Sequence, residues 1–434
     1  MYKNSMKKRT IFTIISLIIG GGVFAQTTDA LSTYTPYTVF GIGEIAKQGT
    51  SFNKSMGGIG VGLRDKRFIN MLNPASVAFR DTLSFMADFG VEQKNIYSSD
   101  ANTSSAFNIF NMHNFLVSFP IYKKSAMMMG ITPYSNVGYK FSQKETDIEI
   151  INQYGDITYQ KFGIGSLSKA FIAGGVQLNK YLSVGLEANY IFGTIDRNSN
   201  MNFNSQTTYR NMITGWDYVL GSMGLKVGAQ AHSKVKENYD LTVGATYSFK
   251  SSLKGDITRY AKTETSGGTL DTVYSVTNNV QGIDIPSELA LGFSLKKGDK
   301  WVVGADYVYQ NWSNTNFQET PGVDFTTSAS SQIKVGFEYT PNMYDIRYYM
   351  KRVSYRAGFY YENSYMNING NNIKSTGITL GANLPIYQGH NAVGLAVDMG
   401  QRGSLKNNLV RERYVMFIIN IHLHDIWFQK FRYD

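Results

Sequence analysis

From Leu83 onward the chain alternates apolar and polar residues with a period of two, in one segment after another of about ten residues or more. Successive side chains of a strand point to opposite faces, so each segment has one apolar and one polar side. A tilted strand of that length crosses a membrane, and only a closed sheet can do so without exposing unpaired backbone to lipid. In Trp301-Val-Val-Gly-Ala-Asp-Tyr-Val-Tyr309, Val303, Ala305, Tyr307 and Tyr309 oppose Gly304, Asp306 and Val308. Ser183 to Phe192 shows the same pattern.

Fourteen such segments are predicted: 83–96, 109–122, 125–145, 156–178, 182–197, 209–231, 239–262, 271–297, 300–317, 329–341, 352–366, 375–386, 392–404 and 411–424. Short turns, such as Tyr122-Lys-Lys and Lys296-Lys-Gly-Asp-Lys300, alternate with longer connectors at 97–108, 146–155, 198–208, 263–270 and 318–328. Pro341 to Lys351 is the clearest exception. Short turns belong to the periplasmic end and long loops to the outside. The expected fold is therefore all-β, a 14-stranded antiparallel transmembrane β-barrel spanning 83–434, with both termini periplasmic.

Composition narrows the class further. Cysteine is absent, which removes disulfides, a zinc-thiolate site, a thiol nucleophile and a lipoprotein anchor. Of a net charge of +10, Lys3, Lys7, Lys8 and Arg9 fall near the start and the rest is scattered. Without a basic stripe, no nucleic-acid partner is indicated. Residues 1–25 read as a secretory signal, with Lys7-Lys8-Arg9, an apolar run from Ile11 to Ile19, and Val23-Phe24-Ala25 before Gln26. No later run is long enough for a spanning helix. Export together with aromatic strands points to the outer membrane of a Gram-negative cell, with its lipid as surroundings.

Residues 26–82 follow neither period. Tyr34 to Gly43 is aromatic and glycine-rich. Met56 to Phe79 holds Gly57, Gly58, Gly60 and Gly62, then a charged cluster, then Asn73-Pro74-Ala75. Glycine and proline make it a poor helix and a poor strand, yet Ile59, Val61, Phe68, Ile69 and Leu72 give it apolar surface to bury. It reads as a plug inside the barrel. Arg64, Asp65, Lys66 and Arg67 suit a latch to lumen charges, because a plug must pair its charges or keep them hydrated.

Three stretches together resemble the FadL/TodX family of outer-membrane transporters for hydrophobic compounds. Asn73-Pro74-Ala75 stands before strand one, where the family's hatch carries Asn-Pro-Ala. Gly130 to Phe141 lies in strand three, where the family has an inward kink and a lateral opening. Ile285-Pro286, then Trp301 and Asn311-Trp312-Ser313, follow a family order of proline, strand, tryptophan, strand, Trp-Ser. The ending Gly400-Gln-Arg-Gly403 … Trp427-Phe428 with a basic tail looks like a Bacteroidota-type branch. The resemblance implies a hatch shaped by Asn73, Pro74 and Ala75 and an exit at Thr132, Pro133, Tyr134, Ser135 and Asn136. Independently of it, Pro133 cannot donate to a ladder and interrupts pairing or forces a bulge. A proline near the barrel rim is the plainer account of the same residue.

Other signals point away from chemistry. Gly57 to Gly62 lacks the strand, helix and lysine of a phosphate loop. His422 and His424 share a strand face with no third ligand type nearby except Asp425, and read as solvated rather than metal-binding. No nucleophile motif accompanies the histidines. Tyr122, Tyr134, Tyr139, Trp216, Trp301 and Trp312 are expected in the interfacial girdles. The sequence thus predicts no enzyme, no cofactor and no metal. It predicts passive uptake of a hydrophobic, long-chain fatty acid-like molecule through a lumen pocket and the strand-three opening. The alternative is a structural barrel subunit of an outer-membrane assembly or export machine, its lumen plugged and its partners other outer-membrane proteins.

Overall fold

The computed structural model describes residues 31–81, 83–204, 209–264, 268–313, 315, 324–386 and 391–426. The expected signal peptide and the ending Trp427 to Asp434 lie outside them. The wall strands are β1 Ser84–Ser99, β2 Ser104–Tyr122, β3 Ser125–Lys144, β4 Ile157–Gln177, β5 Leu182–Phe203 and β6 Met212–Lys236. Two further strands are each broken once: β7 is Tyr239–Ser248 and Ser251–Glu264, and β8 is Leu270–Ile285 and Glu288–Lys297. Then come β9 Trp301–Asn311, β10 Phe325–Thr327 with Ala329–Tyr339, β11 Ser354–Ile368, β12 Asn371–Pro385, β13 Ala392–Arg402 and β14 Arg411–Ile426. Each pairs antiparallel with the next, and β14 returns to β1 from Arg411↔Ser99 to Ile426↔Ser84, which closes a 14-stranded barrel. The expected connector 97–108 contracts to Asp100–Thr103, because the Asp100 carboxylate accepts the N–H groups of Asn102 and Thr103 and caps a tight turn.

The alternation sorts the wall cleanly. Leu289, Leu291 and Phe293 of β8 are exposed outward, while Ala290, Gly292 and Ser294, which alternate with them, are buried. Tyr122, Tyr181, Tyr190, Tyr307, Tyr309, Tyr339 and Tyr355 are exposed on the wall. Tyr134, Tyr139, Trp216 and Trp312 were expected there and turn inward instead. They join an apolar core in the lumen with Tyr37, Phe40, Ile42 and Tyr365. The leader brings apolar surface to that level, and these rings cover it.

Residues 50–79 lie inside the barrel. Their backbone and side chains meet inward glycines on one strand after another: Pro74 on Gly185, Val61 on Gly244, Met56 on Gly336, Gly57 on Gly358 and Ser51 on Gly394. At each of these a methyl group would come within 2.6 Å of the plug. One segment can touch opposite sides of a closed wall only from within. The glycines form a belt moulded to the plug's main chain.

Candidate functional site

Part of the plug's buried main chain bonds within the plug, as the N–H groups of Lys54, Ser55 and Leu63 do, and the rest must find partners elsewhere. Wall side chains supply them. Asp306 accepts the N–H groups of Gly60 at 2.6 Å and Val61 at 2.8 Å. Gln230 donates to the carbonyls of Val61 and Leu63, Ser294 to Gly62, and Thr379 accepts from Gly57.

Asn73 caps the 3-10 helix Pro74–Phe79 by accepting the Ala75 N–H at 3.0 Å. Its amide donates to Val61 at 2.9 Å and to Ala229 of β6 at 3.2 Å, so one side chain ties the helix, the glycine run and the wall. Ala75 has no exposed surface. Asp65 and Arg67 form a buried latch: Arg67 bridges Asp65 at 2.6 Å and Glu338 at 2.8 Å, and Arg356 reaches Glu338 at 2.7 Å. Burial pushes the Asp65 carboxyl up, but Arg67 and Lys296 outweigh it and hold it well below the usual range. The Arg356 guanidinium also stands 4.8 and 4.7 Å from the stacked rings of Phe52 and Phe68. Arg64 departs from the latch and lies over Phe79, 4.3 Å from the ring.

In strand three, Pro133 and Ser135 bracket a bulge against β4. The β2–β3 ladder ends at Phe115↔Ile131, so the wall is unstitched from there toward the long-loop end. That seam is filled. The leader strand Glu44–Ile45 pairs with Asn136 and Ser135, and the Ala46 N–H donates to Tyr134. Gln48 reaches Pro133 and Thr132, Tyr34 stacks on Phe107 of β2, and Asn111 of β2 donates to Ser32. Charge pins the same segment. Glu44 binds Arg402 and Lys94, and Lys47 meets Asp398 at 2.7 Å. Burial raises the Glu44 carboxyl, but the two cations more than offset it and hold it well below the usual range. The run Glu44, Lys47, Lys54 in a mostly apolar leader is the signal in the sequence that would have marked this clamp.

His422 is 2% exposed, not solvated. It pairs with Asp88 and stands 3.3 Å from the hydroxyl of Ser51, an order resembling a hydrolytic triad. Ser51 has no exposed surface and its N–H is bound to Asn420. No carbonyl can reach that oxygen with the plug in place, and the trio works as a pin between plug and wall. Among the described residues no group of three metal-ligating side chains forms.

Between the plug and the apolar core lies a cavity of about 200 Å³. Its walls mix Tyr134, Ile285 and Val308 with Lys47, Lys169, Glu187, Lys226, Asp306, Lys334 and Glu362. This lining is far more charged than a purely apolar ligand needs.

This closed, 14-stranded antiparallel wall is the fold of the FadL/TodX-type barrels. Three solved structures share it: the Ralstonia pickettii toluene transporter TbuX (TM-score 0.58, 15% identity, 87% of this chain and 98% of that one), the Pseudomonas putida toluene transporter TodX (0.56, 14%, 89% and 99%) and a Pseudomonas aeruginosa FadL homologue (0.56, 12%, 89% and 100%). Within that architecture the chain belongs to the BamG family, whose profile matches residues 6–434. No curated relative matches it.

Proposed function

We propose that this protein is an outer-membrane barrel whose lumen is not a through-passage, and that it serves as an accessory subunit of a multi-protein outer-membrane assembly. The observation that carries the reading is closure at three places at once. The glycine belt seats the hatch, the apolar core around Trp312 and Tyr365 fills the opposite end, and the leader occupies the strand-three seam. A barrel closed in this way offers partners its walls and rims. Native mass spectrometry of the tagged protein after gentle extraction tests this. Stoichiometric co-purification with other outer-membrane proteins is the expected result, and a lone barrel would overturn it.

A second reading rests on the fold and the cavity. Here the barrel binds a hydrophobic small molecule and passes it sideways at Thr132 to Asn136 once the leader withdraws, with Asn73, Pro74 and Ala75 shaping the floor. Deleting residues 32–46 would then raise uptake of a hydrophobic tracer into vesicles. Unchanged uptake would sink this second reading.

A further inference from the structure

β7 and β8 each consist of two halves, parted at Phe249 and at Pro286, which has no N–H to offer. The half of β8 nearer the short turns is paired on both sides, with β7 and with β9. The other half, Leu270–Ile285, is paired on one side only, from Leu270↔Glu264 to Ile285↔Ser251 of β7. Its would-be second neighbour, β9, stops at Asn311, after which Trp312 turns into the lumen core. The last contacts on that side are the Gln310 amide to the Pro286 carbonyl at 2.9 Å and the Thr315 hydroxyl to the Asp284 carbonyl at 3.4 Å. Beyond them, among the described residues, no hydrogen bond reaches the main chain of 270–283 from that side. Every residue from Leu270 to Asn279 is exposed, with Val273 at 68% and Tyr274 at 51%.

In an antiparallel ladder every second residue turns its N–H and C=O away from the paired neighbour, so this edge carries a row of free donors and acceptors. Such an edge is a template for another strand, and proteins blunt it with lysine, proline, short length or bulges. Bulges at Thr272/Tyr274 and Val280/Ile283 bound a regular run, Tyr274-Ser-Val-Thr-Asn-Asn-Val280, in unbroken register with Ala261 to Gly255. That run has no charge and no proline. At the strand-three seam, by contrast, the edge of β3 is taken by a strand of the leader, Glu44–Ile45.

We propose that the free edge of β8, Tyr274 to Val280, is a docking edge at the long-loop end of the barrel, completed by an extended segment of a different protein. A second copy of this chain does not fit. Two copies in one membrane are related by a two-fold axis along its normal, which sets their β8 strands parallel, whereas a two-fold symmetric ladder is antiparallel. The two faces of the run define the strand that fits. Asn278 lies opposite Ile257, a lumen-core residue, so Tyr274, Val276 and Asn278 are on the lumen side. Ser275, Thr277 and Asn279 face outward, and the Thr277 hydroxyl is 2.9 Å from that of Thr258. Asp256, opposite Asn279, puts a charge on that outer face, so the run stands beyond the apolar band. Cross-strand neighbours on one face stabilise each other when alike in character. The added segment is therefore uncharged, with β-branched or aromatic residues on the lumen side and hydroxyl or amide residues outside. Backbone pairing supplies the affinity and the faces supply the specificity. This inference rests on the subunit reading and names one of its contact surfaces.

Hydrogen exchange reads the pairing directly. The tagged full-length protein is isolated in its native complex by gentle extraction and compared with the lone barrel released from that complex by detergent. In the complex, exchange over 270–280 should slow at least tenfold, while the long-loop helix Ile148–Tyr154 keeps its rate. Ser275→Lys with Thr277→Lys charges the edge without touching the lumen core. It should cut recovery of one partner at least tenfold, with the barrel still folded by its heat-induced migration shift. Should that pair misfold, Asn279→Lys alone decides, with at least a threefold loss expected. A complex whose 270–280 exchange equals that of the lone barrel overturns the proposal and leaves the subunit reading standing. So does a complex that the lysine variants leave whole, a homodimer joined through this edge, or protection produced by added lipopolysaccharide without protein. A lone barrel in every preparation overturns both.

Discussion

The hatch and the leader both sit inside the barrel, yet they are held differently. The hatch is dry. Its ion chain runs through Arg67, Glu338 and Arg356 at 0–11% side-chain exposure, and its main chain lies against glycine. The leader is wetter. Glu44, Lys94 and Arg402 are 14–16% exposed and Lys47 31%. Dry contacts depend on shape and on complete pairing; hydrated ones yield to salt and pH. The hatch is thus a fixed floor, and the leader is the part of the interior that conditions can release.

The sharpest break of that contrast is Glu338→Ala, which leaves the buried Arg356 guanidinium without its carboxylate and Arg67 with Asp65 alone. A loss of roughly 3–5 kcal/mol is expected for a buried pair split on one side, read as a lower midpoint of heat-induced migration shift. Gly358→Leu should come next, at about 3 kcal/mol of overpacking, because its first added carbon would lie 2.1 Å from the Gly57 nitrogen. Partial release of the floor in that variant should appear as protease cleavage within residues 50–79. Glu44→Gln acts on the leader alone. It should cost about 2 kcal/mol, the scale of hydrogen bonds to charged groups, and expose residues 32–48 to protease while the barrel stays folded. Equal protection of leader and hatch in that variant would erase the distinction drawn here.

Acid makes the same cut without mutation. The Glu44 carboxyl is depressed in the folded protein relative to its ordinary value of 4.5. Its contribution is therefore complete above that value and is lost as pH falls below it toward the folded pKa. Leader cleavage should rise with acidification from pH 5 downward. Asp65 is depressed in the same direction but is one contact among many under the hatch, so hatch cleavage should lag. The smallest effect is the control Gly174→Val, where an added carbon meets nothing within 4 Å. It should stay within about 0.5 kcal/mol of the parent.

Much of this architecture was legible in the chain. The fourteen alternating segments, the hatch ending at Asn73-Pro74-Ala75 and the irregular third strand are readable because each is a local pattern. The Asp65–Arg67 latch was legible as a type of contact but not as a pairing, since Glu338 and Arg356 are distant in the chain. Two readings failed for one reason. Trp312 and Tyr139 left the girdle and His422 left solvent, because the leader and plug occupy the lumen and create an interior that periodicity does not report.

Alternation of side chains along a strand is a property of the backbone, so the sequence by itself determined that this chain closes into an apolar-walled barrel. Glycine's conformational entropy and proline's missing donor likewise determined that residues 56–79 make a poor wall strand. Which inward positions had to be glycine was decided only by the tertiary structure, because the belt is the imprint of a main chain hundreds of residues away. So were the filling of the strand-three seam by Glu44 and Ile45 and the break beside Phe249 and Pro286. Both are matters of which ladder bonds are missing, and a missing bond is a relation between strands.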